Sequence, residues 1–217
     1  PDLRLSRRAI FDLPDTLPLF VLPGALLLPR TRLPLNIFEP RYLQMVEDAL
    51  RTRHRLIGMI QPLDEGGEML AHVGSAGRIV GFSEQDDGRY MISLGQVSRF
   101  RLMDAEHGFH PYPTGHADWS GFEHDGQDSE ADPGWNRDSF LDLMRRYMDQ
   151  HSLSTDWDEA GGAEPELLVN SLAMALPLEL QDKQALLEAE TLPERRALLE
   201  GLLEYELHHG PNEEVMQ

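Results

Sequence analysis

The sequence predicts an α+β chain, with a strand-rich first half holding one inserted helix and a helical second half. Short apolar runs separated by turn residues fill most of residues 17–102, and a single stretch of helical periodicity interrupts them at 40–50. After residue 136 helical spacing dominates.

Leu17–Leu22 is an apolar run closed by Pro23-Gly24, and a second run extends from Leu28 to Leu35; each is expected to be a strand. Pro40 suits a first helical turn, and Tyr42, Leu43, Met45, Val46, Ala49 and Leu50 recur on one face. The cations of Arg51-Thr52-Arg53-His54-Arg55 complement the dipole at that helix's C-terminus. Five strands are then expected at Leu56–Ile60, Met69–Val73, Ala76–Phe82, Arg89–Leu94 and Val97–Leu102, divided by glycine- and aspartate-rich turns. Residues 119–135 read as an exposed acidic loop and a weak boundary, because Asp125–Asp132 has four acids and no large aliphatic residue. Phe140, Leu141, Leu143, Met144, Tyr147 and Met148 make one helical face, with Asn136 or Asp138 as cap. Beyond a polar stretch at Ser154–Glu164, helices are expected at Pro165–Leu176, Gln181–Ala189 and Pro193–His208. The last begins with a capping box, Thr191 to Glu194, and stops at Gly210-Pro211. The expected division is a β-rich part at 1–118, the acidic loop at 119–135 and a helical part at 136–217.

Composition narrows the function. The 217 residues suit one large domain or two small ones, and 38 acids against 19 Lys plus Arg give a net charge of −19, which disfavours nucleic acid and anionic membranes. The charge is uneven: residues 1–60 carry +3 and residues 104–166 carry −13. Without cysteine there is no disulfide, thiolate metal site or cysteine nucleophile. Lys183 is the sole lysine and sits in Asp-Lys-Gln with no glycine loop before it, which excludes a P-loop. The apolar stretch Leu17–Pro29 is too short and too broken by Pro18, Pro23 and Gly24 to cross a membrane. Arg7-Arg8 leads into Ala-Ile-Phe-Asp rather than a signal-peptide core, so a cytoplasmic location is expected.

Three segments carry a family resemblance. Leu33-Pro34-Leu35-Asn36-Ile37-Phe38-Glu39-Pro40-Arg41-Tyr42 resembles the signature near the start of the Lon protease N-terminal, substrate-binding domain. Val73–Ile79, Asp87–Tyr90 and Val97–Arg101 resemble its strand region, and Asn170–Ala173 with Asp182–Glu188 resembles its helical tail. The resemblance covers roughly residues 17–203. It implies a PUA-like pseudo-barrel of strands with the Pro40–Leu50 helix packed on it, followed by a helical subdomain. It also implies a non-catalytic module for polypeptide segments or client proteins, without cofactor or metal, acting as an adaptor for proteolysis or quality control, with a protease as one implied partner. Lon's ATPase and Ser–Lys protease parts have no counterpart here. One departure is local: Gly stands at 95 and Gln at 96, where the family usually has its glycine two residues before Ser98, which implies a shifted turn or bulge.

The residues assigned to polypeptide binding on this resemblance are Phe38, Glu39, Arg41 and Tyr42, since Arg and Tyr anchor interfaces well. The competing assignment places Glu39 at the helix N-terminus and Tyr42 in the core. Nine methionines and exposed strand edges also suit peptide contact. A small metal-dependent hydrolase is the alternative offered by His107, His110, Asp118, His116 and His124, although their spacing does not place two ligands on one helical face. An RNA-binding PUA-like module is the other, through Arg51, Arg53 and Arg55, without an aromatic platform beside them. A Ser–Lys dyad would require Lys183, whose neighbour Asp182 is expected to favour the charged ammonium.

Overall fold

A computed structural model describes residues 12–209. The strands are β1 (Thr16–Val21), β2 (Arg32–Ile37), β3 (Leu56–Ile60), β4 (Val73–Glu84), β5 (Tyr90–Glu106) and β6 (Thr114–Asp118), with α1 (Pro40–Arg51) between β2 and β3. They form one sheet in the order β2-β5-β4-β3-β1-β6, and β6 pairs with β5 as well as β1, so the path from β5 through β4, β3, β1 and β6 returns to β5. Only β1 and β3 run parallel.

Helix α1 starts as its sequence dictates, with Pro40 in the first turn and Glu39 extended at the N-cap. Its face of Tyr42, Met45, Val46 and Ala49 is buried with Ile37, Ile57, Ile79, Ile92 and Leu94 of the sheet. The second half holds α2 (Arg137–Gln150), α3 (Trp157–Gly162), α4 (Pro165–Ala175), α5 (Leu180–Glu188) and α6 (Leu192–His209). Asn136 caps α2 by accepting from the Ser139 amide at 3.1 Å. Thr191 and Glu194 form a reciprocal capping box at α6, each side chain accepting from the other's amide, at 3.2 and 3.3 Å.

Several expectations are corrected. Residues 28–31 are not strand: Leu26 and Leu28 enter the helical core while Leu27 enters the β core, and Arg30 turns the chain at φ 61°. Met69–Val73 is not a strand of its own; a lone Pro62–Leu70 bridge precedes β4, which starts at Val73. The two strands expected at 89–102 are one 17-residue strand, and β6 is a strand additional to those expected. The 154–164 stretch contains the short helix α3. The stop at Gly210-Pro211 and the N-terminal Arg7-Arg8 lie outside the described residues.

The acidic stretch is not uniformly exposed, because Phe122 and Asp125 are buried. Asp125 accepts from the Arg99 guanidinium at 2.9–3.2 Å and from the Arg99 amide at 2.8 Å. Arg99 Nη1 also donates to the Leu187 and Ala189 carbonyls at the C-terminal end of α5, tying β5 to the helices. Arg30 binds Glu166 of α4 through Nε and Nη2 at 2.5 and 2.6 Å, and Asn170 donates to the Pro29 carbonyl. Gln96 has its own place here: it donates to Asp125 at 3.1 Å, and the β4–β5 register shifts beside it, where Ala76 faces Ser98 and Gly77 faces Gln96.

Candidate functional site

The signature segment does not gather into one surface. Phe38 continues the solvent-facing row of Arg32, Pro34 and Asn36 and is 64% exposed. Tyr42 is only 2% exposed: its ring stacks on Phe20 at 4.3 Å and its hydroxyl lies 3.3 and 3.4 Å from the amide and carbonyl of Val21. Burial pushes its phenol pKa up, opposed by Arg41. Arg41 lies outside that ring, 4.5 Å from its centroid, and donates to Glu39 at 2.9 Å. Buried Tyr42 thus provides the surface on which Arg41 rests.

Arg41 lines an open cleft of about 430 Å³. Its lining includes Val21, the last residue of β1, and Pro23; one wall is the loop Pro62–Gly67, and the other is the β5–β6 loop with His107, His110 and Tyr112. Tyr112 anchors that second wall. Its hydroxyl donates to Asp48 of α1 at 2.7 Å, its ring stacks with His110 at 5.0 Å, and Pro113 accepts from the Leu19 amide. Burial and the Asp48 carboxylate raise the Tyr112 pKa. Burial of Asp48 acts against ionisation, yet hydrogen bonds from Tyr112 and Gln44, with Arg51 nearby, hold its carboxyl below the usual range.

Outside the cleft lining, large apolar side chains stand exposed on or next to the same two loops: Leu63 and Met69 by the first, and Phe109, 90% exposed, on the second. Exposed apolar side chains grouped together mark interaction surfaces. Arg41 and Glu65 are the oppositely charged pair of side chains lining the cleft, and the Gly67 amide already donates to the Asp64 carbonyl. Little in the sequence marks this site: Gly66-Gly67 carries only a turn signal, and Tyr112 stands alone between Pro111 and Pro113.

The other candidates disperse. His116 pairs with Asp104 across β5 and β6, His110 stacks on Tyr112, and His124 lies in a short 3-10 turn; among the described residues no three His, Asp or Glu gather as metal ligands. Arg51 faces Glu47 and Asp48 at 3.7 and 3.5 Å and Arg53 pairs with Asp12, so two of the three arginines considered for RNA are occupied by acids. Lys183 donates to the Gly24 and Met174 carbonyls, and burial, rather than Asp182, sets its pKa, lowering it. Among the described residues no helix is long and apolar enough to cross a membrane.

Comparison with known proteins agrees with the architecture. Residues 16–204 match the family described as the ATP-dependent protease La (LON) substrate-binding domain. Lon protease 2 of Sorangium cellulosum is 30% identical over 96 residues, which are 42% of this chain and 12% of that protease. The crystal structure of a Lon N-terminal domain protein from Xanthomonas campestris superposes with a TM-score of 0.59 at 27% identity, covering 88% of this chain and 98% of that one. The N-terminal domain of Mycobacterium avium complex Lon protease gives 0.64 at 13% identity, with 87% and 98% covered, which supports the fold alone. Since the match takes in every strand and five of the helices in full, with most of α6, the chain belongs to the Lon substrate-binding domain family.

Proposed function

We propose that this chain is a non-catalytic polypeptide-recognition module in which an extended segment lies in the cleft beside Arg41. The observation that carries the reading is the cleft itself: Arg41, in the family's signature segment, lines it together with residues of two loops, and Leu63, Met69 and Phe109 are exposed close by in sequence. Family membership adds that related domains bind substrate. Phe38, Glu39 and Arg41 act at the surface in this reading, and Tyr42 acts from beneath by supporting Arg41. An adaptor serving a protease or quality-control system in the cytoplasm is the physiological form of the proposal, and the closed strand path is read as a PUA-like pseudo-barrel. The division at 119–135 separates the barrel that carries the cleft from helices that brace it.

The test is fluorescence anisotropy with a labelled, permanently unfolded apolar peptide, comparing wild type with Arg41→Ala/Phe109→Ser after both are shown to be folded by circular dichroism. Loss of about 1–3 kcal/mol of binding free energy in the variant is expected if these residues act as interface anchors. Equal binding by both proteins would refute the placement.

A further inference from the structure

Pro23 and Pro62 enter the cleft lining from two loops, and a residue beside each is gripped from α5. Gly24 follows Pro23 at φ 75°, a backbone conformation that favours glycine, and both of its backbone groups are held. Its amide donates to Gln61 Oε1 at 3.0 Å, and its carbonyl accepts from the Lys183 ammonium at 3.1 Å. Gln61 stands directly before Pro62 and is buried; it donates to Gln184 Oε1 at 3.0 Å, and its own carbonyl accepts from the Ala71 amide. Lys183 also donates to the Met174 carbonyl at 3.4 Å, in the last turn of α4, where the negative end of the helix dipole favours a cation.

The residue type at 183 fits this task. Lys183 is the sole lysine of the chain, every other permanently charged side-chain cation being arginine. A compact ammonium can sit between carbonyls from two segments, whereas a planar guanidinium presents its donors in a fixed fork. Both partners are neutral, and burial lowers the Lys183 pKa, so the charge is held here at a cost. An apolar side chain of similar length would fill the space without that cost. What the ammonium adds is a direct link from α4 and α5 to the turn that carries Pro23.

Resting on the proposed role of this cleft, we infer that Lys183, with Gln61 and Gln184, is a positioning residue through which the helical half sets Pro23 and Pro62, so that peptide affinity in the cleft is coupled to the docking of α4 and α5. Such coupling is reciprocal. A segment seated against Pro23 and Pro62 steadies the docked helices, and a change in how α4 and α5 sit alters the cleft. The helices then regulate the site as well as brace it.

The experiment uses the full chain and the labelled, permanently unfolded apolar peptide, with binding followed by anisotropy. Lys183→Met is expected to weaken binding about 3- to 30-fold, although Lys183 lies outside the cleft lining. Thr191→Ala, which removes the cap of α6, controls for lost stability and should stay within about 2-fold of wild type. A second reading needs no substitution at 183: a chain grown with lysine isotope-labelled at its ε carbon gives one side-chain lysine NMR signal, that of Lys183. The peptide should move this signal in wild type and leave it in place in Arg41→Ala at the same peptide concentration. If Lys183→Met fails to fold, the NMR reading decides alone. Peptide binding by wild type with an unmoved lysine signal, or with unchanged affinity in folded Lys183→Met, would overturn the coupling and leave the cleft reading standing. Equal weakening in Lys183→Met and Thr191→Ala would assign the loss to general stability and overturn the coupling too. No binding by wild type would overturn both.

Discussion

Arg99 on β5 and Asp125 in the acidic stretch form a bidentate ion pair whose side chains are each 2% exposed, and the same guanidinium reaches the carbonyls at the C-terminal end of α5. The pair fixes the helices against the sheet. Arg195 lies close by, its pKa lowered to about 10 by burial and by the charge of Arg99. This cluster therefore holds two guanidinium groups that depend on Asp125, Glu166 and Glu130 for compensation.

Removing one partner is more damaging than the pair is stabilising, since a buried charge is left alone. Asp125→Ala should destabilise the fold by about 3–5 kcal/mol in urea denaturation. A loss under about 1 kcal/mol would mean that water or another acid replaces the carboxylate.

Gly74 faces the carbonyl of Met59 and the ring of Phe100, and an added Cβ would sit 2.5 and 2.6 Å from them. Gly74→Ala should cost about 1–3 kcal/mol of stability, as overpacking does, because backbone cannot move aside as a flexible side chain does. A thermal midpoint equal to wild type would refute that close approach.

Thr191 and Glu194 satisfy each other's amides at the start of α6. Thr191→Ala should destabilise by about 1 kcal/mol, whereas Thr191→Ser should be nearly neutral because it keeps the accepting oxygen. Equal losses in the two variants would place the effect in packing rather than capping.

Asp104 faces His116 across β5 and β6 at 2.5 Å, and its carboxylate raises the histidine pKa above 6.5. A raised folded-state pKa means that the pairing stabilises fully below the unfolded-state pKa and fades as pH rises through the folded-state value. Asp104→Asn should lower the His116 midpoint in an NMR titration and flatten the pH dependence of stability in that window. An unchanged midpoint would contradict the pairing.

Local signals were legible in the sequence. Pro40 and the apolar face of α1, the Asn136 cap and the Thr191–Glu194 box each lie within one or two helical turns, and the structure places them as expected. Features set by distant partners were not. Gly95-Gln96 resembles a break, yet β5 runs through it because β2 and β4 pair on either side. Strand β6 lacks an apolar signature since its inward Gly115 must be small: a Cβ there would lie 2.5 Å from Leu102. Asp125 reads as one more loop acid, and only the fold brings Arg99 to it across 26 residues. The cleft is likewise assembled from two loops and a helix end far apart in sequence.

The most direct test of the proposed cleft is an amide NMR titration of the full chain with an unfolded, apolar peptide. The account predicts that the largest shift changes fall on Arg41, Gly66, Gly67, His107 and Gly108, which surround the cleft from three separate segments. Changes confined to α2–α6, with those five amides unmoved, would contradict it.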